Sequence, residues 1–159
     1  MTFSIRQATK NDMSQVLDLI LELALFEKEP DAVKVTVDDL VTHGFGNHPK
    51  FQCFVAEHDG IIQGMALVYE RFSTWKGPVL HLEDLVVTQT MRGSGLGTAL
   101  LDHVVKYGHN RGVKRIGWEV LDWNDLAIRF YEKKGAIVKR DWDLVQLNEQ
   151  EIETYIANI

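Results

Sequence analysis

The chain has few of the residues that brace a small fold from outside. It carries one cysteine, Cys53, and three prolines in 159 residues. A single thiol excludes an intrachain disulfide and any cysteine metal cluster, so the cytoplasm is the expected compartment. No apolar run reaches the roughly 18 residues that a membrane span needs. The opening residues, Met1 to Arg6, lack a charged segment followed by an apolar one and are read as ordinary chain rather than a signal peptide. Positive charge is scarce too: 17 Lys and Arg stand against 23 Asp and Glu, a net charge of −6. No basic face is available for nucleic acid, and the acid excess favours a cationic partner such as an amine. There are no repeats, low-complexity stretches or linkers. With 45% hydrophobic residues, one domain over 1–159 with a sizeable core is expected.

What the chain does have is a glycine-rich turn. Arg92-Gly-Ser-Gly-Leu-Gly-Thr98 directly follows the apolar run Leu85-Val86-Val87. Glycines let backbone N–H groups approach a bulky anion. Leu96, Ala99, Leu100 and Val104 then recur at helical spacing, so the turn opens a helix whose N-terminus attracts phosphate. A P-loop is excluded, because no Gly-Lys-Ser/Thr closes the turn. A dinucleotide fingerprint is excluded, because Gly93-Ser-Gly95-Leu-Gly97 is one residue too short. The spacing that remains is Arg92-x-x-Gly95-x-Gly97.

Periodicity and caps predict the order of elements. Strands are expected at 3–7, 51–57, 61–72, 79–88 and 114–121, with a final strand or hairpin at 136–147. Helices are expected from 13 to about 26, from 37 to near 44, from the glycine turn to about 111, at 125–134 and at 149–159. Thr36 to Asp39 reads as a capping box, and His58-Asp59-Gly60 as a hairpin turn. This is one α/β domain with a mixed sheet.

The chemistry-bearing positions stand on two elements. His81-Leu-Glu83-Asp84-Leu-Val-Val87 lies in the strand that feeds the glycine turn. Strict alternation divides it into Leu82, Asp84 and Val86 on one face and His81, Glu83, Leu85 and Val87 on the other. Carboxylates in a largely apolar strand are paired or functional. Glu83 suits an ammonium or its proton, Asp84 is equally well read as a hydrogen-bonded structural acid, and His81 is a rival base. Further on, Asn124, Ala127, Ile128 and Tyr131 share one helix face. Asn124 is explained as a cap, and Tyr131 either as a core aromatic or as a phenol that protonates a leaving thiolate.

These segments together resemble the GNAT N-acetyltransferases, which bind the pyrophosphate of acetyl-coenzyme A on such a loop. Asn124-Asp-Leu-Ala-Ile-Arg-Phe-Tyr131-Glu-Lys-Lys-Gly135-Ala136 is similar to the N-x-x-A-x-x-x-Y-x-x-x-G-A block of that family. Leu23-Ala24-Leu25-Phe26-Glu27, Leu82-Glu83-Asp84, Trp123-Asn124 and Gly44-Phe45-Gly46-Asn47-His48-Pro49 resemble its diamine (spermidine/spermine) acetyltransferase subfamily. Ser73-Thr74-Trp75-Lys76-Gly77 and Val120 to Asn124 look closer to the thialysine branch.

The resemblance covers nearly the whole chain. It implies the GNAT acyl-coenzyme A N-acyltransferase fold, a mixed, mostly antiparallel sheet flanked by helices. It implies acetyl-CoA as co-substrate, no metal, a small-molecule amine acceptor and a homodimer. Leu85, Val86 and Val87 would offer backbone groups to the pantetheine and acetyl carbonyl. Arg92, Gly93, Ser94, Gly95, Leu96, Gly97 and Thr98 would hold the pyrophosphate. Asn124, Ala127 and Tyr131 would flank the pantetheine and sulfur, with Tyr131 as general acid. Glu83 would bind or help deprotonate the amine, and Phe26, Glu27, Trp75, Asp84 and Trp123 would line its site. Phe26 replaces the tyrosine of a Tyr-Glu pair in the polyamine enzymes, and Ser73-Thr74 replaces an Asp-Pro. Fewer acids suit a shorter diamine or an amino acid with a terminal amine. A protein or peptide acetyltransferase and a non-catalytic coenzyme A sensor are the alternatives. An enclosed pocket of Phe26, Trp75 and Trp123 would speak against the first, and the presence of Tyr131 and Glu83 speaks against the second. His43 and His48 receive no role.

Overall fold

Local signals in the sequence decide where most elements begin and end. The computed structural model describes residues 3–159. The chain forms two compact units, Met1–Glu119 and Val120–Ile159. The first contains β1 (Ser4–Gln7), α1 (Met13–Phe26), α2 (Val37–Phe45), β2 (Gln52–His58), β3 (Ile61–Ser73), β4 (Gly77–Val87), α3 (Leu96–Asn110) and β5 (Ile116–Gly117). The second contains α4 (Asp125–Lys133) and α5 (Glu149–Ala157). Among the described residues no helix is long and apolar enough to cross a membrane.

The strands lie in sequence order, antiparallel from β1 through β4, with β5 parallel to β4. This is the mixed, mostly antiparallel sheet that the sequence predicted. The β2–β3 turn places Asp59 and Gly60 at φ 51° and 78°. Two successive positive φ angles make the primed hairpin turn, whose twist matches the strands. On one face of the sheet, Cys53, Val55, Met65, Leu67 and Val86 bury against Met13, Val16 and Leu19 of α1 and Leu40 of α2. On the other, α3 buries Leu96, Leu100 and Val104 completely. Gly64 is the point of closest approach there. A Cβ at that position would meet Leu96 Cδ2 at 2.7 Å and the Val86 carbonyl oxygen at 2.8 Å.

Both helices on the first face begin on acid-containing caps. Thr36 and Asp39 form the predicted box, with the Asp39 N–H donating to Thr36 Oγ1 at 3.2 Å and the Thr36 N–H to Asp39 Oδ2 at 2.9 Å. At the start of α1, Asp12 is 7% exposed and accepts a two-pronged bond from Arg6, at 2.7 and 2.9 Å. The same guanidinium reaches Glu57 of β2 through Nε at 2.8 Å. One arginine on β1 therefore ties the start of α1 to the neighbouring strand.

Two predicted strands differ from what forms. The segment expected at 114–121 pairs only over Ile116–Gly117, opposite Leu80 and His81. The final strand or hairpin expected at 136–147 is absent, and Ile137, Trp142, Leu144 and Val145 are exposed. An apolar alternation becomes a strand only where a ladder partner satisfies its backbone. The second unit, taken by itself, contains two helices and no strand to supply one.

The Arg6 bond, and then the two Thr9 donors, outweigh burial and lower the Asp12 carboxyl to about 2. A depressed carboxylate stabilises the fold above its ordinary titration range and loses that contribution as pH falls through its folded value. Asp12→Ala should cost about 2 kcal/mol at pH 7 and much less at pH 2, measured by urea unfolding at both pH values.

Candidate active site

The strand β4 carries the candidate chemistry, and its ladder is irregular at one place. Leu67 pairs with Asp84 while Val68 pairs with Leu82, so Glu83 is an extra residue without a cross-strand partner. Such a bulge re-aims the side chains that follow it. The register sets Val86 opposite Met65, Asp84 opposite Leu67 and His81 opposite Tyr69. Val86, Asp84 and His81 therefore share the face that packs on α1, and Leu82 belongs to the opposite face. The strict alternation read from the sequence is corrected at this point. It put Leu82 with Asp84 and His81 with Leu85.

The bulge brings acids together. Burial first, and then the charges of Glu83 and Glu27, push the Asp84 carboxyl up to about 6. Glu27 lies just past the last residue of α1, and its own burial raises its carboxyl above the usual range. Three carboxylates within electrostatic reach, two of them half-buried, form a site that favours a cation. Beside them, His81 Nε2 stands 3.4 Å from Glu83 Oε2. Among the described residues no cluster of histidine, cysteine and acid is arranged to hold a metal ion.

The second half of β4 has one open edge. Its pairing with β5 stops at His81, so within this unit Leu82 to Val87 are laddered only to β3. The strand then runs into the glycine turn. Gly93 and Gly95 adopt φ 80° and 89°, and Gly95 begins α3 in the left-handed conformation. No side chain caps this helix and no acid lies in its first turn. A Cβ at Gly93 or Gly95 would meet nothing within 4 Å. Their glycine requirement is thus conformational, and the space in front of the helix N-terminus is open to a ligand. These residues fit a pyrophosphate.

The carboxy-terminal half of α1 braces this turn. Glu22 accepts the Thr88 hydroxyl at 3.0 Å and the Gln89 N–H at 2.7 Å. Phe26 places its ring 5.0 Å from the Arg92 guanidinium carbon. Trp75 is not brought to the acids. It is 84% exposed at the tip of the β3–β4 hairpin. Glu83 leaves the ladder opposite Val68, five positions before Ser73, or about 17 Å along the strand. The enclosure expected from Phe26 and Trp75 is therefore not formed in this unit. A cleft of about 290 Å³ lies among Lys50, Tyr69, Glu70, Tyr107 and Arg111, and it contains none of the three acids or the glycine turn.

In the second unit, Asn124 caps α4 as predicted, with Oδ1 accepting the Ala127 N–H at 3.2 Å. Gly135 follows the helix at φ 86°. Tyr131 lies in its last turn, and Trp123 precedes the cap.

Sequence reasoning missed Glu22, Tyr69 and Arg71. Tyr69 and Arg71 continue the Leu67 face of β3 toward the hairpin tip, where polar residues interrupt an apolar strand. That interruption was the available signal. Glu22 carried none, being one acid among several on α1.

Residues 15–136 match the model of the acetyltransferase (GNAT) family. The chain belongs to the GNAT family. Its members are N-acetyltransferases that use acetyl-CoA as co-substrate. Thialysine N-epsilon-acetyltransferase of Mus musculus is 36% identical, over 83% of this chain and 82% of that protein. Spermidine/spermine N(1)-acetyltransferase-like protein 1 of Homo sapiens is 33% identical over 94% of this chain, which spans only 23% of that longer protein. Among solved structures, an integron cassette protein from the mobile metagenome of V. cholerae superposes with a TM-score of 0.81 at 20% identity, covering 98% of both chains. An aminoglycoside acetyltransferase from an uncultured soil sample gives 0.76 at 19% identity, over 92% of this chain and 97% of that one. At such identities the structural likeness establishes the fold.

The raised Asp84 carboxyl has a consequence for stability. Its folded value exceeds the ordinary one, so the contribution of this group is fully present below about pH 4 and lost as pH rises through about 6. Asp84→Asn should therefore stabilise the protein at pH 7 by about 1–2 kcal/mol and have little effect at pH 4, read from thermal melts at both pH values.

Proposed function

We propose that this chain transfers the acetyl group of acetyl-CoA to a primary amine of a small diamine, polyamine or thialysine-like amino acid. The observation that carries the proposal is the acid pair Glu83 and Asp84 on the strand that leads into an uncapped, glycine-led helix N-terminus, with Glu27 at the end of α1 in electrostatic reach of Asp84. One end of β4 suits an anionic donor and its bulge suits a cationic acceptor. The relatives fit that chemistry, since thialysine, spermidine and spermine, from which they take their names, are amines.

Each residue then has a task. Arg92 and the N–H groups from Gly93 to Thr98 hold the pyrophosphate. The open edge of β4 at Leu85, Val86 and Val87 offers backbone groups to the pantetheine arm and the acyl carbonyl. Asn124 and Ala127 flank that arm. Acetyl-CoA supplies an acyl group on a thiol leaving group. Glu83 and Asp84 receive the ammonium and draw off its proton, and Glu27 with Phe26 holds the remainder of the substrate. Tyr131 gives its phenol proton to the departing sulfur. A phenol is ordinarily protonated at neutral pH, which suits it to the acid role. The family match at 15–136 spans residues of both units, which supports treating 1–159 as one acetyltransferase domain. A cytoplasmic homodimer is the expected working state, and no metal is invoked.

The exposure of Trp75 favours a second reading, acetylation of a lysine side chain on a peptide. Thiol release from acetyl-CoA should be measured with thialysine, short diamines, spermidine and a lysine-containing peptide. Turnover with the small amines and not the peptide is expected. Turnover with the peptide alone selects the second reading, and silence with all of them, despite cofactor binding, contradicts both. Within the active set, Tyr131→Phe should lower kcat about 100-fold while leaving the KM for acetyl-CoA nearly unchanged. Equal losses in both, or no loss, would remove Tyr131 from the acid role.

A further inference from the structure

Glu83 is approached by more than its own strand. His81, two residues earlier, is 7% exposed. Its Nδ1 lies 3.2 Å from Arg71 Nη1, and its Nε2 lies 3.4 Å from Glu83 Oε2. Tyr69, opposite His81 in the ladder, stacks its ring 5.0 Å from the imidazole centroid at 42°. Burial, and then the charge of Glu83 and a hydrogen bond donated to it, push the Tyr69 phenol above its ordinary value.

Donor counting fixes the tautomer. A guanidinium has five N–H donors and no acceptor. Facing Arg71, Nδ1 must present its lone pair. The ring proton is then on Nε2, the nitrogen turned toward Glu83. The Glu83 carboxylate thus lies 3.4 Å from the protonated Nε2 of His81 and within electrostatic reach of the Tyr69 phenol. Charged and titratable groups near the imidazole include Tyr69 and Arg71 from β3 and Glu83 from β4; Glu119, just past β5, acts on Tyr69, and β5 pairs Gly117 with His81.

We propose that Arg71 and His81 are positioning residues for Glu83. Arg71 fixes the imidazole as an Nε2–H donor, and His81 with Tyr69 fixes the carboxylate that meets the amine. His81 is thereby excluded as the base, because its only bare nitrogen is taken by Arg71. The inference rests on the proposed role of Glu83.

The test measures kcat and KM with acetyl-CoA and thialysine for Arg71→Met, Arg71→Lys, His81→Phe, His81→Gln and Glu83→Gln. It adds the ¹⁵N shifts of the His81 ring in wild type and Arg71→Met. Arg71 is exposed, so its replacement leaves the core intact. Arg71→Met and His81→Phe should each lower kcat about tenfold with the KM for acetyl-CoA unchanged. Arg71→Lys and His81→Gln should recover part of the loss, since each restores a donor. The wild-type shifts should show a protonated Nε2 and a bare Nδ1, and Arg71→Met should mix the tautomers. A protonated Nδ1 in the wild type overturns the inference, as do wild-type rates in Arg71→Met alongside a slow Glu83→Gln. Wild-type rates in Glu83→Gln overturn instead the reading beneath it. If His81→Phe fails to fold, Arg71→Met and the ring shifts decide alone.

Discussion

Repulsion among three carboxylates is the constraint on which the candidate site depends. Asp84 is half-buried where α1 ends and β4 bulges, with Glu83 and Glu27 in electrostatic reach, and burial first and then those two charges push its carboxyl up to about 6. Nothing in folding favours such a cluster by itself. Water is a better solvent for each of these charges than a half-buried pocket. The sheet face that carries Asp84 is otherwise apolar where it packs on α1, with Met13, Val16, Val55 and Met65 fully buried. A cation delivered to the cluster relieves the repulsion, so the stability lost in the free protein is regained as binding.

The helix α1 links the start of the sheet to the acid cluster and the glycine turn. Its start is pinned by Asp12 to Arg6, and through Arg6 to Glu57 on β2. Its last two turns carry Glu22, which holds Thr88 and Gln89 ahead of the glycine turn, and Phe26, which lies against Arg92. Glu27 follows directly. One helix therefore sets Glu27 in electrostatic reach of Asp84 and braces the start of the glycine turn.

Much of this was legible from the chain. The Thr36 capping box, the Asp59-Gly60 hairpin, Asn124 as a cap and the glycine turn are local chemistry, and local chemistry is written in adjacent residues. The bulge at Glu83 was not legible. Periodicity assumes that a strand keeps its register, and a bulge appears only when two ladders are aligned. For the same reason the grouping of Asp84 with His81 was missed. Tyr69 and Arg71 were passed over because their significance lies in what stands opposite them, across a hairpin. The segment at 136–147 failed in the reverse sense. Its alternation suits a strand, but the second unit offers no ladder partner to make it one.

On the proposed reading, the acid cluster is a cation site whose charge state changes when the amine binds. Isothermal titration calorimetry of a short diamine into the protein, repeated in buffers of different ionisation enthalpy, counts protons exchanged on binding. A cation drawn to Asp84 should displace its proton. About half a proton per diamine should be released at pH 6, falling toward zero at pH 8. Binding that releases no proton at pH 6 would contradict the account.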